Sequence, residues 1–283
     1  MQLFRYTEDR LPVAIFTAYF ALDVILFFTV QSFWVLLLWL VLGIIPKACI
    51  SAWNHHHQHV MTFKQPLLNR LLEIVYTFHT GITGNAWVLH HVVGHHLHYL
   101  DQEKDESRWK RLDGTKMGEQ EYSLNVAMTA YPRAYQVGLK FKKHMKIFLW
   151  MCLLSLTLLS LAFWYNWRNA LMVFLLPMLI SLYLTAKTTY KHHSGLDTDD
   201  EFAASTNILN HVYNICTGNL GYHTAHHVKM GIHWSRLPEY HATIAHKIPQ
   251  HCYLEPGFPW NIFPAHAPAI QPAVAPQKQP VEG

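Results

Sequence analysis

The stretch His90-His91-Val-Val-Gly-His95-His96-Leu-His98-Tyr-Leu-Asp101 is crowded with imidazoles. Neutral imidazole is the commonest metal-ligating side chain. On a helix, His91 and His95 would stand one turn apart on one face, with His96 beside them. Two other clusters have comparable spacing: His55-x3-His59, inside the run His55-His56-His57-Gln58-His59, and His223-x2-His226-His227. A fourth group is Lys191-His192-His193-Ser-Gly-Leu-Asp197. With His193 from that group, the set is His55, His59, His91, His95, His96, His193, His223, His226 and His227. That is enough for two metal ions with about four or five protein ligands each. Zinc takes about three or four ligands, whereas oxygen-activating iron tolerates a larger nitrogen-rich shell. The expected centre is therefore di-iron. Each cluster alone could equally be a zinc site or a set of surface histidines, so the argument rests on their combination.

The remaining histidines carry plainer expectations. His56, His57, His90, His98, His192 and His211 read as neighbours or supporting donors, and His193 is preferred over His192 for its place before Ser-Gly-Leu. His79, His144, His233, His241, His246, His251 and His266 are assigned no role. Asp101, Asp105 and Asp197 are either acceptors that orient ring N–H groups or solvated loop acids.

The elements that must position these clusters follow from hydropathy. Hydrophobic residues make up 51% of the 283 and charged residues 14%, against about 25% charged in a typical soluble domain. From Leu11 to Ile45 only Asp23 and Gln31 clearly interrupt the apolar run. A span needs roughly 17–25 residues, so this run predicts two spans, at about 12–30 and 32–50, with a tight turn at Val30-Gln31-Ser32. Asp23 is expected to cap or pair within the bundle, with a functional role as the alternative, and Lys47 to mark an interface. The second span is predicted to continue as helix into His55–His59. Residues 66–79 have apolar residues at helical spacing and predict an amphipathic helix on the membrane surface, broken by Gly81, Gly84 and Asn85. A second apolar block, interrupted at Asn166-Trp-Arg168-Asn169, predicts spans at about 147–165 and 170–187. The fold class expected is an all-α membrane protein with four transmembrane helices in two hairpins. A helical cytosolic cap would carry the histidine-ligated di-metal site. Residues 1–255 would form the catalytic domain and 256–283 a Pro/Ala-rich extended tail.

Lys and Arg are concentrated in 1–10, 47–146 and 187–255, while the two hairpin tips hold only Arg168. The positive-inside rule then puts both tips away from the cytoplasm and every histidine cluster on the cytoplasmic side. No cleavable signal peptide is expected. Cys49, Cys152, Cys216 and Cys252 are widely spaced and make no disulfide framework or iron–sulfur motif. The formal charge of +4 does not point to nucleic acid.

The order HxxxH, HxxxHH, HxxHH, with hairpins before the first and third boxes, resembles the membrane fatty acid desaturase and hydroxylase superfamily. Asn219-Leu-Gly-Tyr-His223-Thr-Ala-His226-His227, followed by Arg236-Leu-Pro-Glu-Tyr-His241, is similar to the third-box region of bacterial acyl-lipid and acyl-CoA desaturases. His91-x-x-Gly-His95-His96 and His193-Ser-Gly-Leu also resemble bacterial alkane monooxygenases, although Lys191-His192 stands where those enzymes have a Glu-His pair. The resemblance runs to about residue 255. It implies two non-haem iron ions that use O2 as co-substrate to attack an unactivated C–H bond of an acyl chain, most simply in desaturation. It also implies an integral, multi-pass protein, here expected in a bacterial inner membrane with its active site on the cytoplasmic side.

The substrate implied is acyl-CoA, acyl-lipid or free fatty acid, held in an apolar slot that opens to membrane lipid. Electrons would come from a separate ferredoxin, rubredoxin or cytochrome-type donor with its reductase. The basic residues Arg108, Lys110, Arg111 and Lys140–Lys146 offer a docking face, although the positive-inside rule accounts for the same charges. Removing a second hydrogen gives an alkene, and returning oxygen gives an alcohol. Hydroxylation, carotenoid-ring oxygenation and decarboxylation to a terminal alkene thus remain alternatives within the class. From other classes, a His-rich metal transporter would need ionisable residues inside the spans, where only Asp23 lies, and a non-catalytic scaffold would tolerate loss of His95 and His226.

Overall fold

The computed structural model describes residues 2–263. Among these residues the architecture is helical, with only isolated β-bridges and no strand. Helix α1 (Arg10–Thr29) and helix α2 (Phe33–His59) are joined through Val30–Ser32. Val30 and Ser32 are extended (φ/ψ −85/124 and −77/121), which makes the tight turn anticipated from the sequence. Helix α2 continues to His59, carrying the first histidine cluster at its end.

Asp23 of α1 and Lys47 of α2 are both buried and joined by a 2.6 Å ion pair. Trp39 Nε1 donates to the other Asp23 oxygen at 2.8 Å, and His79 lies against the pair at 3.5 Å. Lys47 therefore does not stand at an interface in solvent, as its sequence position suggested. Its long stem lets the ammonium reach the carboxylate of the neighbouring helix, where each charge satisfies the other.

Helix α3 (Pro66–Thr80) ends at Gly81, whose left-handed φ of 72° provides the helix stop. The helix buries Leu72, Tyr76 and Phe78 and also a set of polar residues. Leu67 and Leu71 are exposed, while Asn69, Glu73, Thr77 and Thr80 are buried. The polar residues recur at helical spacing and face the ends of α2 and of the loop that follows.

Helix α4 (Glu119–Gly138) packs against helix α6 (Leu176–His193). Between them in sequence lies α5 (Lys142–Ala170), which runs into α6 through a π-helical turn at Leu171–Leu175. Among the described residues, three helices are long and apolar enough to cross a membrane: Thr7–Thr29, Phe33–His59 and the 52-residue Lys142–His193. The last is interrupted at Asn166, whose φ/ψ of −153/90 is not helical. This is where the apolar pattern broke in the sequence. Leu158, Leu159 and Phe163 before the break and Phe174 and Leu176 beyond it pack in one apolar cluster with Phe27, Leu36 and Phe78.

The two breaks lie together. Arg168 Nη2 donates to Gln31 O at 2.7 Å, and Asn169 Nδ2 donates to Phe27 O and Val30 O at 2.8 Å. Those bonds satisfy carbonyls that the end of α1 leaves unpaired. Exposed Trp34, Trp164 and Trp167 surround this end, an arrangement that suits a membrane–water interface. The ends of α2 and α6 that carry histidines lie away from these breaks. Short helices α7 (His211–Thr217), α8 (His223–Val228) and α9 (Leu237–Ile244) complete the fold there.

Candidate metal centre

The stretch around His91 is not an α-helix. Val88–Val92 forms a π turn followed by further turns. Val93 N donates to Val88 O at 3.0 Å and His96 N to His91 O at 2.9 Å, both across five residues. The wider turn changes which side chains share a face. His91 and His96 point together, with Nε2 atoms 2.9 Å apart. His95 points elsewhere, its Nε2 3.3 Å from His193 Nε2. The expectation of His91 and His95 on one helical face is thus corrected. Gly94 permits the geometry: a Cβ there would lie 2.5 Å from His90 O and 2.9 Å from Leu89 O.

All nine histidines selected from spacing are brought together, in two adjoining groups. The first is His55, His59, His91, His96 and His226, with one donor atom from each lying within 4.8 Å of all the others. The second contains His95, His193 and His227 on the same criterion, and His223 joins it with Nε2 3.0 Å from His193 Nε2. Within the first group, His55 Nε2 is 2.8 Å from His91 Nε2 and 3.0 Å from His59 Nε2. The neighbours His95-His96 and His226-His227 each divide between the two groups.

Each donor is aimed by its surroundings. His193 Nδ1 faces Ala204 O at 3.3 Å, which turns Nε2 toward the cluster. The adjacent His192 has both ring nitrogens engaged, with Thr206 O at 2.9 Å and the Tyr213 hydroxyl at 3.4 Å. His193 faces the groups and His192 does not. Of the three expected acid acceptors, only Asp105 reaches a clustered histidine: His95 Nδ1 donates to Asp105 Oδ1 at 2.7 Å, with both side chains enclosed. Asp101 and Asp197 pair instead with Lys104 and Lys110 at the surface.

The third box hangs from Asn207, whose side chain bonds Thr224 N at 3.0 Å and Thr224 Oγ1 at 2.8 Å. The first and second boxes are tied together by Gln58. Its Nε2 donates to Glu73 Oε1 at 3.3 Å and its Oε1 accepts from Asn85 N at 2.9 Å. Glu73 was not singled out from the sequence. The signal was present in Asn69, Glu73, Thr77 and Thr80, a polar stripe at i, i+4, i+8 and i+11 on a helix rich in apolar residues.

Among the other histidines, His56 and His57 are buried and bonded to Thr217 O and Thr62 Oγ1, and His90 and His98 are partly buried while His211 is exposed. His79, His233 and His241, given no role from the sequence, prove to be buried. His233 faces Asp9 at 3.1 Å. His266 lies outside the described residues.

Burial, followed by the neighbouring imidazoles, pushes His91, His96, His223, His226 and His227 well below the usual imidazole range. They remain neutral with lone pairs available. His226 Nε2 and both nitrogens of His227 are buried without a hydrogen-bond partner among the described residues, which is costly unless something else satisfies them. A first-row metal with nitrogens at about 2.1 Å places adjacent ligands about 3.0 Å apart and opposite ones about 4.2 Å apart. The observed separations of 2.8–3.0 Å within a 4.8 Å limit match that pattern. The donor set fits metal ions.

A largely apolar cavity of about 230 Å³ adjoins the groups. Ile45, Ala48, Cys49 and Ala52 of α2 and Leu184 of α6 line it, and His55, His91 and His223 open into it. Gly257–Trp260 form another wall. The start of the segment expected to be an extended tail is therefore part of the site, while residues 264–283 lie outside the described residues.

The family model for fatty acid desaturase matches residues 31–255. The chain belongs to the fatty acid desaturase family. The match takes in α2, the second apolar block and all three histidine boxes. As a family member the protein is an integral membrane oxidoreductase of the desaturase/hydroxylase type that acts on fatty acyl chains, with metal-binding histidine clusters. No curated protein and no solved structure matches the chain.

Proposed function

We propose that the protein desaturates a fatty acyl chain at a non-haem di-iron centre. The observation that carries this reading is the meeting of two nitrogen-rich histidine groups with one apolar cavity. His55, His59, His91, His96 and His226 would hold one iron, and His95, His193, His223 and His227 the other. With O2 and electrons, the irons would supply an oxidant strong enough for an unactivated C–H bond. Ile45, Ala48, Ala52 and Leu184 would hold the acyl chain and keep water from it. Asp105 holds the His95 ring in one orientation and tautomer, and Ala204 O does the same for His193.

The break at Asn166 supports reading Lys142–His193 as two spans, since a straight helix of 52 residues would measure about 78 Å against a hydrocarbon core of about 30 Å. The protein would then cross the membrane four times in two hairpins, with both joined tips on one side. The positive-inside rule puts the histidine end in the cytoplasm. Lys110 and Arg111 are committed to Asp197 and Glu121, while Lys140, Lys142 and Lys143 are exposed and have no ion pair among the described residues. These lysines are the better docking site for an acidic electron carrier.

The test is iron analysis together with mass spectrometry of products after fatty acids are supplied with O2 and a reductant. Two irons per chain and an alkene two mass units below the substrate are expected. Zinc in an active preparation, or iron well below two in the fully loaded protein, would overturn the metal assignment. An alcohol or a shortened terminal alkene would reassign the reaction.

A further inference from the structure

The cavity beside the histidine groups has a charged rim as well as apolar walls. Lys187 and Lys191 both line it, as do Thr185, Thr188 and Thr189. The two lysines are i and i+4 on α6 and share a helix face. Neither is fully engaged by an acid. Lys187 is 3.8 Å from Glu119, at the limit of an ion pair, and Lys191 has no acidic partner among the described residues. This contrasts with Lys104, Lys110 and Arg111, which each meet a carboxylate.

The rim is built from two sides. Gly257 lies against the Lys191 ammonium, where an added Cβ would be 3.6 Å from Nζ. Trp260 beside it stacks edge-on with Tyr213 at 5.5 Å. The threonine hydroxyls donate to carbonyls of their own helix, so the two ammonium groups carry the polar end, and an apolar slot ending in two cations suits an amphiphile with an anionic head.

We propose that Lys187 and Lys191 bind the anionic head group of the substrate, a carboxylate or phosphate, while its alkyl chain fills the slot lined by Ile45, Ala48, Ala52 and Leu184. This rests on the acyl-oxidation reading and narrows its substrate to an anionic amphiphile. Lipid-facing lysines that merely lie near head groups would show no preference among ligands inside the cavity.

The experiment uses the iron-loaded full chain in nanodiscs of neutral phosphatidylcholine. Trp87 and Trp260 line the cavity, so a brominated ligand that enters it quenches them. The signal is the difference from a Trp87→Phe/Trp260→Phe protein. 12-Bromododecanoate should bind about tenfold more tightly than 12-bromododecanol, as expected for a charge-assisted contact. Lys187→Gln/Lys191→Gln should abolish that preference and leave the alcohol's binding unchanged, and Lys187→Arg/Lys191→Arg should retain it. Competition by laurate or by lauroyl-CoA identifies the head as carboxylate or as phosphate. Equal binding of acid and alcohol to the wild type, or a preference that survives in Lys191→Gln and in the double variant, would overturn the proposal. Binding is read without turnover. Failure of the oxidation reading would leave the acid preference intact, whereas an active enzyme indifferent to head-group charge would refute this inference alone.

Discussion

His95 and Asp105 form a 2.7 Å hydrogen bond from Nδ1 to Oδ1 while His95 Nε2 faces His193. The carboxylate therefore sets the tautomer of a ring at the junction of the histidine groups. Ligand-orienting partners of this kind are worth about 10–100-fold in metal affinity. Asp105→Asn should lower affinity at the group containing His95 by about that factor. A chelator titration followed by iron analysis should show that group emptying first, with the five-histidine group retained.

Gly94 sits where the backbone crosses itself. A Cβ would lie 2.5 Å from His90 O and 2.8 Å from Glu106 Cγ, and backbone cannot yield as a flexible side-chain tip does. Gly94→Ala should widen the turn, separate His91 from His96 and reduce both iron content and activity by at least about tenfold. Gly118→Ala, where nothing lies within 4 Å, is the control that should retain both.

Asp23 and Lys47 make a matched buried pair. Removing one partner strands the other charge, at a cost of about 3–5 kcal/mol. Lys47→Met alone should lower the melting temperature in detergent sharply. Asp23→Asn/Lys47→Met should recover most of the loss, and a double-mutant cycle gives the coupling. Equal damage from the single and double variants would show that the pair does not act as a unit.

His241 is buried near Tyr222 and Tyr253, and burial lowers its pKa to about 4. The unfolded chain takes up this proton near pH 6.5, so the folded state binds fewer protons between pH 6.5 and 4. The stabilisation is fully present above pH 6.5 and declines as pH falls through that window, by about 1.4 kcal/mol per pH unit. His241→Gln should flatten the pH dependence of stability there by up to that slope, measured by chemical denaturation at fixed metal loading.

Much of the site could be read from residue types because metal ligation restricts both identity and spacing. His55-x3-His59 lies on a regular helix, so counting residues gave its geometry. The middle box was harder. Its donors were evident, but a π turn depends on Gly94, on Leu89 packing and on the approach of Glu106, and none of these appears as a period in the sequence. Asp105 could not be separated from Asp101 or Asp197, because only the folded loop shows which acid is enclosed. Lys47 looked like an interface marker because its partner is 24 residues away on another helix. Chain breaks were more legible: Gln31 and Asn166–Asn169 interrupt apolar runs, and there α1 gives way to α2 and the long apolar helix kinks at Asn166.

Two peptide units, His95-His96 and His226-His227, each send one ring into one group and the next ring into the other. Consecutive Cα atoms are held at about 3.8 Å by covalent geometry. The spacing between the two groups is therefore anchored in covalent bonds, whereas the cavity beside them is shaped by the packing of α2, α6 and Gly257–Trp260. A substitution that repacks the cavity walls can thus change the shape of the cavity without altering the covalent step between the two groups.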